Sequence, residues 1–429
     1  MTSRKVAGLR WWIIGLVALG IALNYLSRSS LSVAIPELNR HFSISTQQYS
    51  YAVSAFQAAY MIVQPLCGYV LDAVGTRVGF AAFAAAWGAA NMLRGLASGW
   101  ISLALFRGLL GATESAAIPA AVKVVAEWFP DKERSVATGW FNSGTSIGAM
   151  LAPPLVVWCI VHHGWQMAFV VTGGLSLMWV AIWLSAYDQP ERHRSISVAE
   201  REMIREGRVV TPTTIRHRKS MLESGVLWAI MISRFFAAPA WATFNFWIPI
   251  YLSTVRHMSL KDIGMFAWMP FLAADLGSIV GGYLCPFFKR WLRVELVASR
   301  KLVVTIGAIL MIGPACVGLA SNGYVAVVLF CIGGFAHQAL SGALITLPVD
   351  VFPRGDVTTA SGLAGTAAWL GSTIFSLLIG TLAAKVGYDP LFACLVVFDL
   401  LGATVLWFMA PRQSHRPAHA DLEEKSMTD

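Results

Sequence analysis

Charge is scarce in this chain. Only 13% of its 429 residues are Asp, Glu, Lys or Arg, while 56% are hydrophobic; ordinary soluble domains carry about 25% charged residues, so that class is excluded. Cysteine is scarce too. Cys67, Cys159, Cys285, Cys316, Cys331 and Cys394 stand singly in apolar stretches with no CxxC or ligand-like spacing, which argues against a disulfide framework and against zinc. There is no Walker-type Gly-Lys loop and no credible nucleophile and base pair, so neither an ATP-driven pump nor an intramembrane enzyme is expected, and no metal or cofactor is implied. The two-residue alternation of a membrane barrel is also missing, so membrane spans should be helices.

What is present is a succession of apolar runs of about 20 residues, the length that crosses a hydrocarbon core of about 30 Å. They lie near residues 11–35, 48–71, 77–97, 101–126, 135–161, 166–187, 225–253, 261–286, 301–320, 323–348, 357–384 and 389–410. The expected fold is therefore an all-α membrane protein of twelve transmembrane helices. The 37 glycines and 17 tryptophans suit close helix packing and the headgroup boundary. The basic start, MTSRKVAGLR, resembles the head of a secretory signal. The run that follows leads into NYLSRSS without a small-x-small cleavage pattern, which predicts an uncleaved first span.

The polar stretch from Asp188 to Glu223 divides the spans six and six. The expected organisation is an N-terminal bundle (1–187), a cytoplasmic central loop (188–223) with AEREMIRE as a short surface helix, a C-terminal bundle (224–411) and a cytoplasmic tail (412–429). The net charge of +9 marks topology and not nucleic-acid binding. Arg40, Arg256, Lys261 and Lys385 fall on the side away from the N-terminus, five more basic residues fall within spans, and the remainder of the 32 lie with the termini. By the positive-inside rule both termini are cytoplasmic. WFPDKERSVATG (128–139) and VFPRGDVTTASG (351–362) echo each other at matching junctions of the two halves, as do GYVLDAVGTR and GYLCPFFKR. The pairs indicate a duplicated bundle.

Ionisable residues inside spans are costly and should face a cavity or a partner. Arg28 lies two thirds of the way through the first span with Asn24 one turn before it; snorkelling to the outer boundary is the alternative. In the fourth span, Arg107 and Glu114 are seven residues apart, which places them on one helix face about 10 Å from each other. Burial and a nearby guanidinium act on a carboxyl's proton affinity in opposite directions, so Glu114 is a candidate proton carrier; a structural ion pair is the plainer reading. Asp275 in the eighth span is a second candidate proton site or, more simply, the partner of Arg234. Gln57, Tyr60 and Gln64 share a face of the second span, Asn142 and Thr145 lie in the fifth, and Arg234, Trp241 and Asn245 form a stripe in the seventh, where Pro239 and Pro249 can bend the helix. Mid-membrane amides, hydroxyls and flat rings suit a polyhydroxylated ligand, although interhelical hydrogen bonding would use the same groups. His337 reads as a satisfied interhelical histidine.

GYVLDAVGTR, with Gly68, Asp72, Gly75 and Arg77, matches the G-x-x-x-D-x-x-G-x-R signature of the major facilitator superfamily. Asp72 and Arg77, with Arg234, are read as gating residues that bind neighbouring helix ends and hold the cytoplasmic side closed. Pro286 replaces the acid in the second copy, so the latch is expected in one half only. YLSRSSLSVAIPEL, ESAAIPA, EWFPDKERSVATGWFNSGTSIGAMLAPPLVVW and WQMAFVVTGG resemble the anion:cation symporter family of that superfamily. PAWATFNFWIPIYL, MFAWMPFLAADLGSIVGGYL and IGGFAHQALSGALITL look like its hexuronate branch.

The resemblance runs from about Gly8 to Trp407. It implies proton-driven uptake of galacturonate and glucuronate through a bacterial inner membrane, by a monomer. It also implies that Arg28 meets the substrate carboxylate and that Arg107 and Glu114 are the family's fourth-span pair. Tyr60 and Gln64 take the places of the second-span binding residues, and Trp241 or Trp369 would pack on the sugar. One departure matters: relatives that couple through two acids have an aspartate just before the first-span arginine, and this chain has Ser27. That leaves Arg28 without an adjacent counter-ion and shifts proton coupling to Glu114. The rival readings are a carrier of aldonates or aldarates, a transporter-like sugar-acid sensor, and a drug exporter, which a cavity-facing Arg28 disfavours.

Overall fold

The computed structural model describes residues 8–130, 133–206, 222–352 and 354–410. The expected tail, 412–429, lies outside them. Every regular element among the described residues is helical. Among the described residues ten helices or runs of consecutive helices are long and apolar enough to cross a membrane: Leu9–Phe42, Trp100–Trp128, Val136–His163, Trp165–Ala186, Gly225–Thr254, Leu260–Trp291, Leu296–Leu319, Gly323–Val351, Thr359–Val386 and Asp389–Met409. Thr46–Val74 and Thr76–Leu93 complete the twelve. These two are less apolar because Gln57 and Gln64 interrupt the first, and Arg77 and Asn91 the second.

Close approach of helix backbones sets the core of each half. A methyl group on Gly148 in the fifth span would collide with the Ala22 carbonyl of the first and come within 2.9 Å of Tyr25; Gly277 in the eighth span meets the Phe335 carbonyl of the tenth in the same way. The first span is thereby held against the fifth one turn before Arg28.

Two spans are broken where chemistry sits. The fourth consists of Trp100–Glu114 and Ala117–Trp128, with a turn immediately after Glu114. The seventh passes from Gly225–Ala242 through a π-helical turn, Thr243–Trp247, to Ile248–Thr254. That turn lies between Pro239 and Pro249, as the prolines suggested, and π turns release backbone groups from the regular ladder.

The halves meet at the outer end, away from where the first span begins and the twelfth finishes. Tyr49 Oη donates to the Phe246 carbonyl in the π turn at 2.6 Å, and the hydroxyls of Thr46 and Tyr388 are 3.3 Å apart. Tyr60 packs on Trp369 with ring centroids 4.5 Å apart. Towards the inner end Tyr69, Trp140, Tyr283 and Val349 are exposed.

The internal repeat has a structural meaning. Glu127, just before WFP, accepts from Thr76 at the start of the third span at 2.5 Å and from Tyr187 at the end of the sixth. Asp350, at the same place before the second copy, pairs with Arg300 at the start of the ninth. Arg77 donates to the Leu184 carbonyl at 2.6 Å and Lys301 to the Ala410 carbonyl at 2.8 Å, again at matching span ends. Arg300, Lys301 and Asp350 thus make, in the C-terminal half, span-end contacts that the altered second signature does not supply. Asp72 pairs with Lys123, and Arg77 with Asp188 at 3.5 Å. These contacts tie span ends within the N-terminal half.

The short helix Val198–Glu206 is docked, with Ile204 buried. Glu200 accepts from the backbone N–H groups of Leu9 and Arg10, both at 3.2 Å, and from the Arg10 guanidinium at 2.9 Å. Arg10 also reaches Glu133 at 2.9 Å, which fastens this helix to the start of the first span.

Candidate substrate and proton site

The first and fourth spans bring their charges together mid-bundle. Arg28 is 4% exposed and Glu114 fully buried, and Arg28 Nε donates to Glu114 Oε2 at 3.1 Å. Arg28 Nη2 also donates to Asn24 Oδ1 at 3.2 Å, one helical turn away. The expectation that Arg28 stands free of a counter-ion is therefore corrected. Ser27 supplies none, but the turn after Glu114 sets that carboxylate against the guanidinium from another span.

Arg107 and Glu114 share the buried face that their spacing predicted, yet they do not pair. Arg107 Nη1 donates instead to the Arg28 carbonyl at 2.7 Å. Arg94, just beyond the third span, is also fully buried and donates to the Ser27 carbonyl and Ser30 Oγ, each at 2.9 Å. Three guanidinium groups thus surround a single carboxylate. Glu114 Oε1, two nitrogens of Arg94 and two of Arg107 lack a hydrogen-bond partner among the described residues. A net positive, incompletely satisfied cluster in a low-dielectric interior attracts an anion. Arg94 was visible in the sequence as a span-resident cation, but nothing in its spacing tied it to the others.

Aromatic rings wall the guanidinium. Arg28 Cζ lies 4.3 Å from the Tyr25 ring centroid, 5.0 Å from Tyr60, 5.3 Å from Phe56 and 5.9 Å from Trp369. Trp369 comes from the opposite half, so a ligand on Arg28 would touch both halves. Gln64, one turn inward of Tyr60, is half-buried, while both amide atoms of the fully buried Gln57 are unpartnered. In the fifth span Asn142 is exposed, and the nearly buried Thr145 spends its hydroxyl on the Asn142 carbonyl at 2.7 Å.

The seventh-span stripe is only partly gathered. Asn245 falls in the π turn, donates to the Trp241 carbonyl at 2.9 Å and leaves its buried Oδ1 unpartnered. Trp241 lies parallel to His337, with 5.9 Å between centroids and 14° between planes. Arg234 Nη1 reaches Ser341 Oγ at 3.4 Å. The expected Arg234–Asp275 pair is not formed among the described residues; the half-buried Asp275 faces Ser146 of the fifth span instead. His337 is not the satisfied histidine its setting suggested, since its buried Nδ1 has no partner. A further acid was missed: Asp399 in the twelfth span is 3% exposed with both oxygens unpartnered. Its signal was a lone Asp in the apolar run LFACLVVFDLLGATVLWF.

Comparisons with known proteins place the chain in a family. A model of the Major Facilitator Superfamily matches residues 17–298 and 286–428. The chain is 53% identical over 408 residues to the hexuronate transporter of Escherichia coli K12, covering 94% of each protein. It is 50% identical over 327 residues to the galacturonate transporter of Dickeya chrysanthemi, covering 75% of this chain and 95% of that one. Its fold superposes with a TM-score of 0.78 on a bacterial homologue of the human lysosomal transporter Spinster, solved inward-facing and unoccupied, at 17% identity, covering 94% of this chain and 98% of that one.

Proposed function

The chain belongs to the Major Facilitator Superfamily, and we propose that it carries hexuronates, galacturonate and glucuronate, together with a proton across the bacterial inner membrane by alternating access. The observation that carries the substrate class is the 53% identity to the hexuronate transporter over nearly the whole of both chains. With both termini in the cytoplasm, as the Lys and Arg distribution implies, the closed outer end makes this the inward-facing state.

The mechanism is an exchange of anions on one cation. Arg28 holds the Glu114 carboxylate at 3.1 Å, and a uronate carboxylate would need the same guanidinium edge. Protonation of Glu114 removes the competitor and frees the charge-assisted donors of Arg28 for the substrate. Once the halves have opened inward, loss of that proton lets Glu114 reclaim Arg28 and displaces the sugar acid. Arg107 and Arg94 keep the surroundings positive throughout, so the carboxylate finds an attractive field whichever anion Arg28 holds. Asn24, Tyr60, Gln64 and Trp369 supply hydrogen bonds and ring faces around the same point; Asn142, Thr145, Trp241 and Asn245 are assigned to its flanks. Asp72 and Arg77 act as fasteners that keep the N-terminal half rigid while it tilts.

Uptake of labelled galacturonate and glucuronate into proteoliposomes tests the proposal. Accumulation should require an inward proton gradient and fall as external pH rises at fixed membrane potential, because fewer Glu114 carboxyls then carry a proton. Transport of neither uronate contradicts it.

A further inference from the structure

The polar cluster of the C-terminal half has no counter-charge. Arg234 is half-buried at mid-membrane; its one hydrogen bond among the described residues is the 3.4 Å contact with Ser341, and no carboxylate pairs with it. His337 is 3% exposed, its ring is parallel to Trp241 and edge-on to Phe244 at 6.3 Å, and Nδ1 is an orphan. Buried polar groups in folded proteins are hydrogen-bonded as a rule, and one left open calls for a ligand or water. The cluster borders the space between the halves. Phe244 and Phe271, which contact the Trp241–His337 stack, line a small cavity whose far wall is Ser29 and Ser32, the turn that follows Arg28.

Resting on the uronate reading above, we propose that His337 and Arg234 form the sugar subsite of the C-terminal half and take ring hydroxyls of the hexuronate, the one at which the two uronates differ included. The chemistry fits. A neutral imidazole offers one donor and one acceptor, a guanidinium offers only donors, and a sugar hydroxyl both donates and accepts. Trp241, held flat by the imidazole, presents its ring to the C–H face of the sugar. With the carboxylate on Arg28 and the hydroxyls on His337 and Arg234, the substrate bridges the halves. Galacturonate and glucuronate differ in the configuration of one ring hydroxyl, so discrimination between them belongs to this subsite and not to Arg28.

Three variants in proteoliposomes test this. His337→Phe keeps a flat ring against Trp241 but has no ring nitrogen, His337→Gln keeps a donor and an acceptor, and Arg234→Gln removes the charge. His337→Phe and Arg234→Gln should each raise KM for the uronates about tenfold, the effect of one lost hydrogen bond to a buried group, and alter the galacturonate to glucuronate preference. Saturated turnover and its pH profile should stay as in the wild type, and His337→Gln should recover part of the affinity. Unchanged KM and preference in both His337→Phe and Arg234→Gln would overturn the subsite. So would equal losses in His337→Phe and His337→Gln together with a lowered melting temperature, which is the mark of packing alone. Wild-type liposomes that transport neither uronate would overturn the substrate reading itself, a failure separable from the variants' behaviour.

Discussion

In the N-terminal half Arg28 reaches a carboxylate at 3.1 Å and is walled by four aromatic rings, whereas Arg234 in the C-terminal half reaches only a hydroxyl at 3.4 Å. Both are mid-membrane arginines on spans that follow equivalent places in a duplicated bundle, so the difference lies in what surrounds them. An acid beside one arginine makes it a switch, because the pair can be opened and closed by a proton. An arginine beside an imidazole and a hydroxyl has no such handle and is suited to reading neutral hydroxyl groups. On the reading proposed above, the N-terminal copy would couple the carboxylate to the proton and the C-terminal copy would read the neutral hydroxyls.

Removing the cation of the first half breaks the comparison most severely. Arg28→Gln should lower apparent uronate affinity on the order of 100-fold, the cost of losing a charge-assisted partner in a desolvated site, as measured by binding and by uptake in the same membranes. A second acid sharpens it from the other side. Ser27 is fully buried next to Arg28, so Ser27→Asp adds a competing counter-ion; uptake at neutral pH should fall roughly tenfold and recover as external pH is lowered. Lys123→Gln removes the half-buried partner of the exposed Asp72 without touching either arginine. Turnover should change by only about two- to fivefold, in line with a surface ion pair, with KM unaltered. The smallest effect is expected from Asp399→Asn. Asp399 has no hydrogen-bond partner among the described residues, and an amide of the same shape should leave uptake within about twofold and the pH profile in place.

The spans were legible because hydropathy and length are one-dimensional properties, and the prolines flanking Thr243–Trp247 announced the break in the seventh span. The break after Glu114 was not legible, since ESAAIPA carries its proline two residues into the second helix segment, at Ile118-Pro119. Helical periodicity placed Arg107 and Glu114 on a common face, but periodicity speaks only of one helix. The partner of Glu114 comes from 86 residues earlier in the chain, and such a pairing depends on how the first span packs against its neighbours. The same limit applies to His337. The sequence places a histidine among apolar neighbours, and only tertiary packing decides whether a donor or acceptor stands opposite it. Asp399 and Arg94 were visible as letters, yet their isolation and their company, respectively, were not.

The central claim is that Glu114 and the substrate carboxylate take turns on Arg28, and Glu114→Gln in proteoliposomes tests it most directly. Labelled galacturonate is followed in two modes, counterflow against unlabelled galacturonate and accumulation driven by a proton gradient, across external pH. The account predicts that the variant exchanges substrate in counterflow with little dependence on pH and fails to accumulate it. Accumulation that remains proton-driven in the variant would contradict it.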